Sequence, residues 1–336
     1  MGKSTVKWLL LLLMITLLPV FSASGKTLKF AVVAKFQGVF FDQSGDGCRE
    51  AAAALPEVEC IYLAPKKGDV RIQDKMIEQL INDGIDGIAV AVTESGFLAR
   101  NSMQKAIQSG TPVVTYDSDF DAPTRDKYKN LRRAYIGTNN FELGRAFGEQ
   151  LKKLRPNGGK LIIQTGRPDS PNLNLRVMGI RSALSGKTYL TPPGEILKND
   201  NGWSEVRLPI PNYDKIKRAV KQMESILKAH PNQADSFIAV GGWAQNDEYQ
   251  YRRMIDPFKQ KLAEKEMVVI ISDASEGQLA MLRDHLAHGN VGQKPYEMGR
   301  LAISTLLKIV RKQPYEKMIY TPLSYCTPDN YAVCTH

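Results

Sequence analysis

Residues 85–116 decide the fold, and they read IDGIAVAVTESGFLARNSMQKAIQSGTPVVTY. Two nearly continuous apolar runs, Ile85 to Val92 and Pro112 to Tyr116, flank a segment from Phe97 to Ser109 with the apolar spacing of a helix. Gly110 follows at the position where helices commonly end. Strands that are apolar on both faces and joined through a helix are typical of parallel sheets with both faces covered. The stretch therefore predicts one strand–helix–strand unit of an α/β protein.

The same alternation predicts about ten strands along the chain, from Leu28 to Ala34 near the start to the helix from Glu297 to Arg311 near the end. Because so many strands do not fit comfortably into one open sheet, we expect two lobes, each a doubly wound parallel sheet. A (β/α)₈ barrel is the rival fold.

The first 25 residues predict export. Lys3 and Lys7 precede an apolar run from Trp8 to Leu18, and small residues follow at Ser22 to Gly25. A basic start, a short apolar run and a small-residue cleavage region are the three parts of a secretory signal peptide. An uncleaved anchor is the alternative, but the run is short for a membrane span. We therefore expect an exported, mature chain that begins near residue 26.

The net charge does not predict a nucleic-acid partner. The chain has 45 Lys and Arg against 35 Asp and Glu, a formal charge of +10. The densest basic spots are only pairs, Lys66-Lys67 and Arg132-Arg133, and no basic stripe with interleaved aromatic residues is present in the sequence. We interpret the excess charge as a solvated surface.

The four cysteines favour disulfides, because the predicted compartment is oxidising. Cys48 and Cys60 are twelve residues apart, and Cys326 and Cys334 are eight apart. Three connectivities are possible and the sequence does not choose among them; we expect the local pairs. Neither spacing is that of a zinc site, so no metal is predicted.

Motifs for catalysis are missing from the sequence. The first strand is not followed by G-x-G-x-x-G, and neither G-x-x-x-x-G-K-[ST] nor G-x-S-x-G occurs. His285 and His288 could share a helix face, but we interpret them as an exposed helix end. We therefore predict neither an enzyme nor a cofactor.

The candidate site lies where the predicted strands end, because ligands of open α/β sheets bind at the carboxyl ends of the strands. Aromatic side chains that could cover the apolar face of a sugar are Phe36, Phe40, Phe41, Tyr116 and Trp243. Polar side chains that could pair with hydroxyl groups are Asp117, Asn174, Arg176, Asp273 and Gln293. Of the neighbouring Asp117 and Asp119, at most one is expected to face a ligand.

Seven segments in register resemble the ribose-binding-protein-like family of periplasmic sugar-binding proteins, the type I solute receptors of ABC importers. The segments are FQGVFFDQSGDGCREAA, DKMIEQLINDGIDGIAVAV, GTPVVTYDSD, YIGTNNFELGRAFGEQL, PNLNLRVMGIRSAL, VVIISDASEG and VGQKPYEMGRLA. The resemblance implies ligand contacts at Phe40, Phe41, Asp117, Asp273 and Gln293.

Three positions depart from the ribose binders. Asn174 stands where they carry an Arg, with Arg176 two places further on, and Ser118 replaces a second Arg. The run Gly241-Gly242-Trp243 replaces a polar segment. These differences argue against ribose and leave another sugar or a sugar alcohol as the expected ligand.

The resemblance also implies two lobes joined by a three-strand hinge, with crossings near 137–139, 293–294 and 323–324. The first lobe would hold 26–137 and 294–322, the second 138–293 and 323–336, so that each local disulfide stays within one lobe. A monomer of this kind would close around its ligand and deliver it to the permease subunits of an ABC transporter. A receptor that feeds a sensor kinase or a chemoreceptor is the alternative.

Overall fold

The computed structural model describes residues 26–228 and 233–334. The predicted signal peptide, residues 1–25, lies outside this part of the chain. Within it, strands and helices alternate as the apolar pattern predicts.

The strands are β1 Leu28–Val33, β2 Val58–Leu63, β3 Gly87–Val90, β4 Val113–Tyr116, β5 Tyr135–Gly137, β6 Gly159–Thr165, β7 Lys198–Asp200, β8 Trp203–Glu205, β9 Ile210–Pro211, β10 Ser236–Ala239, β11 Val268–Ser272, β12 Gly289–Gly292, β13 Met318–Tyr320 and β14 Ser324–Cys326. The helices are α1 Val39–Ala53, α2 Val70–Asn82, α3 Ser95–Arg100, α4 Ser102–Ser109, α5 Ala122–Lys127, α6 Asn140–Leu154, α7 Pro171–Ser185, α8 Ile216–Lys228, α9 Glu248–Ile255, α10 Lys259–Ala263, α11 Glu276–Arg283 and α12 Pro295–Val310.

Two sheets organise these elements, and the predicted pair of doubly wound sheets is confirmed. The first has the order β13-β5-β4-β3-β1-β2 and is parallel throughout. The second has the order β14-β12-β11-β10-β6-β8-β7, with β9 paired to β6. It is parallel except at its edges, where β14 and β7 run antiparallel to their neighbours.

The chain passes between the two sheets at three places. β5 belongs to the first sheet, whereas the following helix α6 packs on α7 and on β11 and β12 of the second. β12 lies in the second sheet, whereas α12 packs on α1 and on strands of the first. β13 and β14 then lie in different sheets. The crossings therefore fall at 138–139, 293–294 and 321–323, between elements of known sheet membership.

Two helical regions are interrupted, and one of them was predicted as a single helix. The region from Glu248 to Ala263 is divided into α9 and α10 at Asp256–Phe258, because Pro257 has no backbone N–H for the helical hydrogen bond. The helix expected from Phe97 to Ser109 is divided into α3 and α4 at Asn101, whose φ and ψ of −113° and −105° are not helical.

Pairs of glycines let two pairs of helices approach closely. A Cβ atom on Gly144 of α6 would lie 2.1 Å from the Arg176 carbonyl oxygen of α7, and one on Gly179 would lie 2.1 Å from the Phe141 oxygen. In the first lobe, a Cβ atom on Gly47 of α1 would lie 1.9 Å from the Tyr296 oxygen of α12. Only glycine permits backbones this close, so each lobe holds a tightly packed helix pair beside the crossings.

The local disulfides are confirmed, since Cys48 is bonded to Cys60 and Cys326 to Cys334. Each bond joins parts of the same sheet region, and neither links the two sheets. Within residues 26–228 and 233–334, the helices are all too short or too polar to cross a lipid bilayer.

Candidate ligand-binding cleft

Two aspartates stand at corresponding places in the two sheets. Asp117 follows β4 of the first sheet and Asp273 follows β11 of the second. Their φ angles are +57° and +71°, in the left-handed region that side chains other than Gly rarely adopt. Backbone held in this region costs free energy and is often found at functional sites. Both carboxylates therefore lie at strand ends in a conformation that the surrounding structure imposes.

Asp117 is paired with a lysine that sequence reasoning missed. Lys35 lies two residues after the end of β1, and its Nζ lies 3.2 Å from Asp117 Oδ2, with both side chains largely buried. The Tyr135 hydroxyl lies 3.0 Å from the Asp117 carbonyl oxygen and 2.8 Å from that of Thr138, so it can donate to either. Lys35 could have been found by the rule that identified the other candidates, because it is the first residue after the predicted strand from Leu28 to Ala34.

Asp273 is part of a buried network at the crossings. Gln293 Nε2 donates to Asp273 Oδ1 at 2.8 Å, and Gln293 Oε1 accepts from Thr138 Oγ1 and from Arg176 Nη2, both at 2.9 Å. Burial raises the pKa of the Asp273 carboxyl above its ordinary value, and the negative charge of Asp117 adds to this rise. The charge of Arg176 and the hydrogen bond from Gln293 oppose it. The network thus joins two crossings to the candidate site.

Arg176 and Gln293 have most of their polar atoms occupied by the protein itself. Arg176 donates from Nε to Asn140 Oδ1 at 2.8 Å and from Nη1 to the Val240 carbonyl at 2.7 Å, in addition to Gln293. Both side chains are buried. Their geometry suits positioning of Asp273 and of the crossings, with little hydrogen-bonding capacity left for a ligand.

Sequence reasoning also missed a carboxylate, Asp214, which is hydrogen-bonded to Trp243. The indole Nε1 donates to Asp214 Oδ1 at 3.0 Å, and a Cβ atom on Gly166 would lie 2.5 Å from that oxygen and 2.7 Å from the Trp243 ring. Burial raises the pKa of Asp214, while the charge of Lys35 and the Trp243 hydrogen bond oppose that rise. Lys35 belongs to the first lobe and Asp214 to the second, so these charges face each other between the sheets. The two-residue strand β9 that precedes Asp214 left no apolar run to signal it.

The predicted aromatic residues divide into core and cleft. Phe41 and Tyr116 are buried in the core of the first lobe, and their ring centroids lie 6.4 Å apart. Phe36 and Phe40 are only partly buried and pack edge-on against Phe41, at 5.0 and 5.2 Å between centroids. Phe36 and Phe40 are therefore the rings whose faces remain available.

Asn174 and Asp119 are held by protein partners. The Asn174 amide donates to the Pro168 carbonyl at 2.9 Å, in the first turn of α7. Asp119 accepts from Arg132 Nη2 at 2.6 Å and from Arg125 Nη1 at 2.9 Å, so it forms a salt-bridge cluster of its own.

The prediction of an exposed helix end is wrong for His288, whereas His285 is exposed just beyond α11. α11 ends before both residues, and His288 is largely buried, with Nδ1 accepting from the Val269 N–H at 3.1 Å. Because Val269 lies near the start of β11, His288 is at the opposite end of the sheet from Asp273.

A pocket lies between the two lobes and beside Asp273. Val39, Phe40 and Gln43 of α1 line one side, and Asn246, Ser275 and Gln278 line the other. A second cavity lies on the first lobe between Ile107, Thr111 and Arg133. These residues precede β4 and β5, away from the strand ends that carry the carboxylates. The pocket between the lobes is therefore the candidate binding site.

The sequence of this chain matches known binding proteins. A family profile described as a periplasmic binding protein domain matches residues 30–314. The chain is 28% identical over 152 residues to a xylose/arabinose-binding protein of Sulfolobus acidocaldarius, covering 44% of this chain and 37% of that protein. It is 27% identical over 159 residues to the D-allose-binding periplasmic protein of Escherichia coli, covering 46% of this chain and 50% of that one. The chain thus spans half or less of the length of these curated relatives.

Solved structures match over nearly the whole chain. A solute-binding protein of an ABC transporter from Burkholderia graminis, in complex with D-arabinose, is 29% identical, with a TM-score of 0.75 over 93% of this chain and 99% of that one. A solute-binding protein from Actinobacillus succinogenes with bound D-allose is 19% identical, with a TM-score of 0.75 over 91% and 100% of the two chains. The second match shows the shared fold.

Proposed function

The chain belongs to the periplasmic binding protein family, and from that premise we propose that it captures one neutral sugar or sugar alcohol between its lobes and delivers it to the membrane subunits of an ABC importer. The lobes are residues 26–137 with 294–322 and residues 138–293 with 323–336. Residues 1–25 are the signal peptide that exports the chain to the periplasm. The named ligands of the relatives, pentoses and allose, support this class of cargo.

One observation carries the proposal: carboxylates from opposite lobes converge on one cleft. Asp117 comes from the first sheet, and Asp273 and Asp214 come from the second. A carboxylate accepts hydrogen bonds from hydroxyl groups, and such charge-assisted bonds are stronger than neutral ones. A ligand that contacts both lobes stabilises the closed arrangement, because closure is a shift between two states of which only one makes all the contacts.

The partly buried rings of Phe36 and Phe40 supply the apolar side of the site. A pyranose or furanose carries C–H groups on its faces, and aromatic rings pack well against them. Lys35 supplies a hydrogen-bond donor on the same lobe. Two cations, Lys35 and Arg176, against three carboxylates do not favour an anionic ligand, which is why we infer a neutral polyol.

We also infer binding without chemical conversion. The two histidines within the described part of the chain, His285 and His288, both follow α11 and precede β12. They are therefore remote from the strand ends that carry Asp117 and Asp273, so they cannot serve there as general bases.

A thermal-shift screen of the mature protein against pentoses, hexoses, sugar alcohols and amino acids tests the proposal. A ligand that binds only the folded protein adds about 2.7 kcal/mol at about 100 times its dissociation constant. We expect stabilisation by one or two polyols, lost in Asp273→Asn and kept in Asp119→Asn. Stabilisation by an amino acid and by none of the polyols would overturn the proposal.

A further inference from the structure

The backbones of Asp117 and Asp273 are held in the same way in the two lobes. Both residues lie in the left-handed region, with φ angles of +57° and +71°. Asp117 donates its backbone N–H to the Ile136 carbonyl of β5 at 3.1 Å, and Asp273 donates its own to the Val291 carbonyl of β12 at 2.8 Å. β5 is the neighbour of β4, and β12 is the neighbour of β11. Each aspartate is therefore tied to the next strand of its sheet.

The carbonyl oxygen of each aspartate is bonded to a side chain from that same strand. The Tyr135 hydroxyl lies 3.0 Å from the Asp117 carbonyl oxygen, and Asn290 Nδ2 donates to the Asp273 carbonyl oxygen at 2.7 Å. Tyr135 and Asn290 each directly precede the residue that accepts the aspartate N–H. Each is also paired in register with the residue two places before its aspartate. The two lobes thus repeat one arrangement with two different side chains.

The single hydrogen of the Tyr135 hydroxyl can be assigned from its surroundings. The hydroxyl lies near two carbonyl oxygens, that of Asp117 at 3.0 Å and that of Thr138 at 2.8 Å. The Thr138 oxygen also accepts from the Asn140 side-chain amide at 3.2 Å. A hydroxyl donates one hydrogen bond, and its direction is inferred from the network around it. We therefore assign the hydrogen to the Asp117 carbonyl, which leaves Thr138 with the Asn140 donor.

Two further amides fix the orientation of Asn290. Its Nδ2 donates a second hydrogen bond to Gln245 Oε1 at 2.9 Å. Gln278 Nε2 donates to that same oxygen at 3.1 Å and to the Ser272 carbonyl at 2.8 Å. If the Asn290 amide were turned over, its Oδ1 would face two oxygen atoms that cannot donate. The amide donor is therefore held against the Asp273 carbonyl.

Stability of the core does not explain these polar side chains. Tyr135 and Asn290 are both buried, and burial of a polar group costs free energy unless the group is hydrogen-bonded. Asn290 Oδ1 has no hydrogen-bond partner in the part of the chain that the structure describes. The backbone conformation that the two donors hold is itself costly for a residue other than Gly. What the bonds preserve is the direction of the two aspartates.

That direction leaves one oxygen of Asp273 for a ligand. Its Oδ1 accepts from Gln293 Nε2 at 2.8 Å and from the Ser272 hydroxyl at 3.2 Å. Its Oδ2 has no protein donor among the described residues, and a Cβ atom on Gly242 would lie only 3.0 Å from it. A rotation of the Asp273 backbone would turn Oδ1 away from Gln293 and move Oδ2. The orientation of this carboxylate therefore depends on the backbone that Asn290 holds.

We propose that Tyr135 and Asn290 are positioning residues for ligand binding. Each holds one aspartate, Asp117 or Asp273, in the left-handed conformation and thereby directs its carboxylate into the cleft. The inference rests on the proposed function, because it concerns affinity for the captured polyol. Neither side chain has to touch the ligand. Since their effect passes through the aspartates, removal of an aspartate side chain must also remove the effect of its positioning residue.

Two double-mutant cycles test this dependence. Tyr135→Phe removes only the hydroxyl, and Asn290→Leu removes the donor while it keeps the branching of the side chain. Tyr135→Phe is combined with Asp117→Gly, and Asn290→Leu with Asp273→Gly. Glycine adopts the left-handed region freely, so these substitutions remove the carboxylate without adding backbone strain. Calorimetry of all variants uses the polyol that the thermal-shift screen identifies.

Tyr251→Phe is the matched control for the loss of a buried hydroxyl. Tyr251 is buried in the second lobe, and its hydroxyl donates to the Leu286 carbonyl at 2.8 Å. Leu286 precedes β12, so this bond lies at the opposite end of the strand from the cleft. The control should lose stability, as any variant that breaks a buried hydrogen bond should, and keep its affinity within about twofold.

We expect Tyr135→Phe and Asn290→Leu each to bind the polyol about tenfold more weakly than the parent. In the background that lacks the corresponding aspartate side chain, each should cost less than about twofold. A side chain that only stabilises the fold would not show this dependence. Tenfold losses that persist in the glycine backgrounds, or single variants that bind as well as the parent, would overturn the proposal.

A second measurement needs no ligand. Crystal structures of unliganded Tyr135→Phe and Asn290→Leu should show the carboxylates of Asp117 and Asp273, respectively, turned from their positions in the parent. Carboxylates that stay in place would overturn the proposal. If Asn290→Leu does not fold, Asn290→Ala takes its place in both measurements, because it lacks the donor and cannot overpack the core.

The two measurements keep this inference apart from sugar capture. A parent protein that binds none of the polyols would contradict sugar capture, and the crystal structures would still decide whether Tyr135 and Asn290 position the aspartates. A parent that binds a polyol, together with losses that simply add in both cycles, would contradict the positioning roles and leave sugar capture intact.

Discussion

Replacing Asp117 by Asn should weaken ligand binding while leaving the fold intact. Asp117 has a φ of +57°, and Asn tolerates the left-handed region better than other non-glycine residues. The substitution therefore removes the negative charge without adding backbone strain. It also leaves Lys35, 3.2 Å away, without its carboxylate partner in the free and the bound protein alike.

The size of the effect follows from the type of hydrogen bond. A hydrogen bond to a charged group contributes about 1.5–3 kcal/mol. Each 1.4 kcal/mol is a factor of ten in the dissociation constant, so the loss corresponds to about 10- to 150-fold weaker binding. The free energy of unfolding should fall as well, because the substitution leaves the largely buried Lys35 without its ion-pair partner.

Isothermal titration calorimetry with the identified polyol measures this effect, and Asp119→Asn is the matched control. Asp119 lies two residues away but is paired with Arg125 and Arg132 outside the cleft. The control should lose stability and keep its affinity. A change below about threefold for Asp117→Asn, or equal losses for both variants, would refute the assignment of Asp117 as the ligand carboxylate.

Three further predictions concern stability. Arg181→Met leaves the Glu205 carboxylate buried without its ion-pair partner, so urea unfolding should show a free energy of unfolding that is lower by about 3–5 kcal/mol. Adding Glu205→Leu should largely restore that free energy. A urea midpoint for Arg181→Met as high as in the parent would contradict this prediction. The raised pKa of Asp273 means that the folded protein binds a proton at this carboxyl more tightly than the unfolded chain does. The contribution of Asp273 to the free energy of unfolding therefore falls as pH rises through the folded pKa, and Asp273→Asn should remove that fall. Unfolding curves at pH 4.5 and 7.5 measure it, and a loss of stability between the two pH values as large in the variant as in the parent would contradict the prediction. Gly144→Ala places a Cβ atom 2.1 Å from the Arg176 carbonyl oxygen if the backbone does not move, so calorimetric melting should show a free energy of unfolding that is lower by about 1–3 kcal/mol. An unchanged Tm would show that α6 and α7 can move apart without cost.

The sequence predicted the fold well because the central strands are apolar on both faces. β3 and β11 are completely buried, and their continuous apolar runs stand out in the sequence. Short edge strands leave no such trace. β9 has two residues, one of them proline, and it pairs only with the end of β6. Its existence depends on tertiary contacts, which a local pattern does not contain.

The site was predictable to the extent that it follows strand ends. Asp117 and Asp273 were found because they directly follow recognisable strands, whereas Asp214 was missed because it follows β9. The roles of Arg176 and Gln293 could not be derived either. Their hydrogen bonds join residues as distant in sequence as Thr138 and Gln293, and only the folded chain brings these together.

The three crossings have a consequence for the order in which the two sheets can form. The second sheet, apart from β14, is built from one continuous stretch, β6 to β12. The first sheet begins earlier in the chain but needs β13 for its edge and α12 for one face, and both come from the last forty-two residues of the sequence. A chain that emerges amino terminus first must therefore hold residues 26–137 unfinished while the later lobe assembles. Until α12 is added, one face of β3, β4 and β5 lacks the helix that covers it in the folded protein.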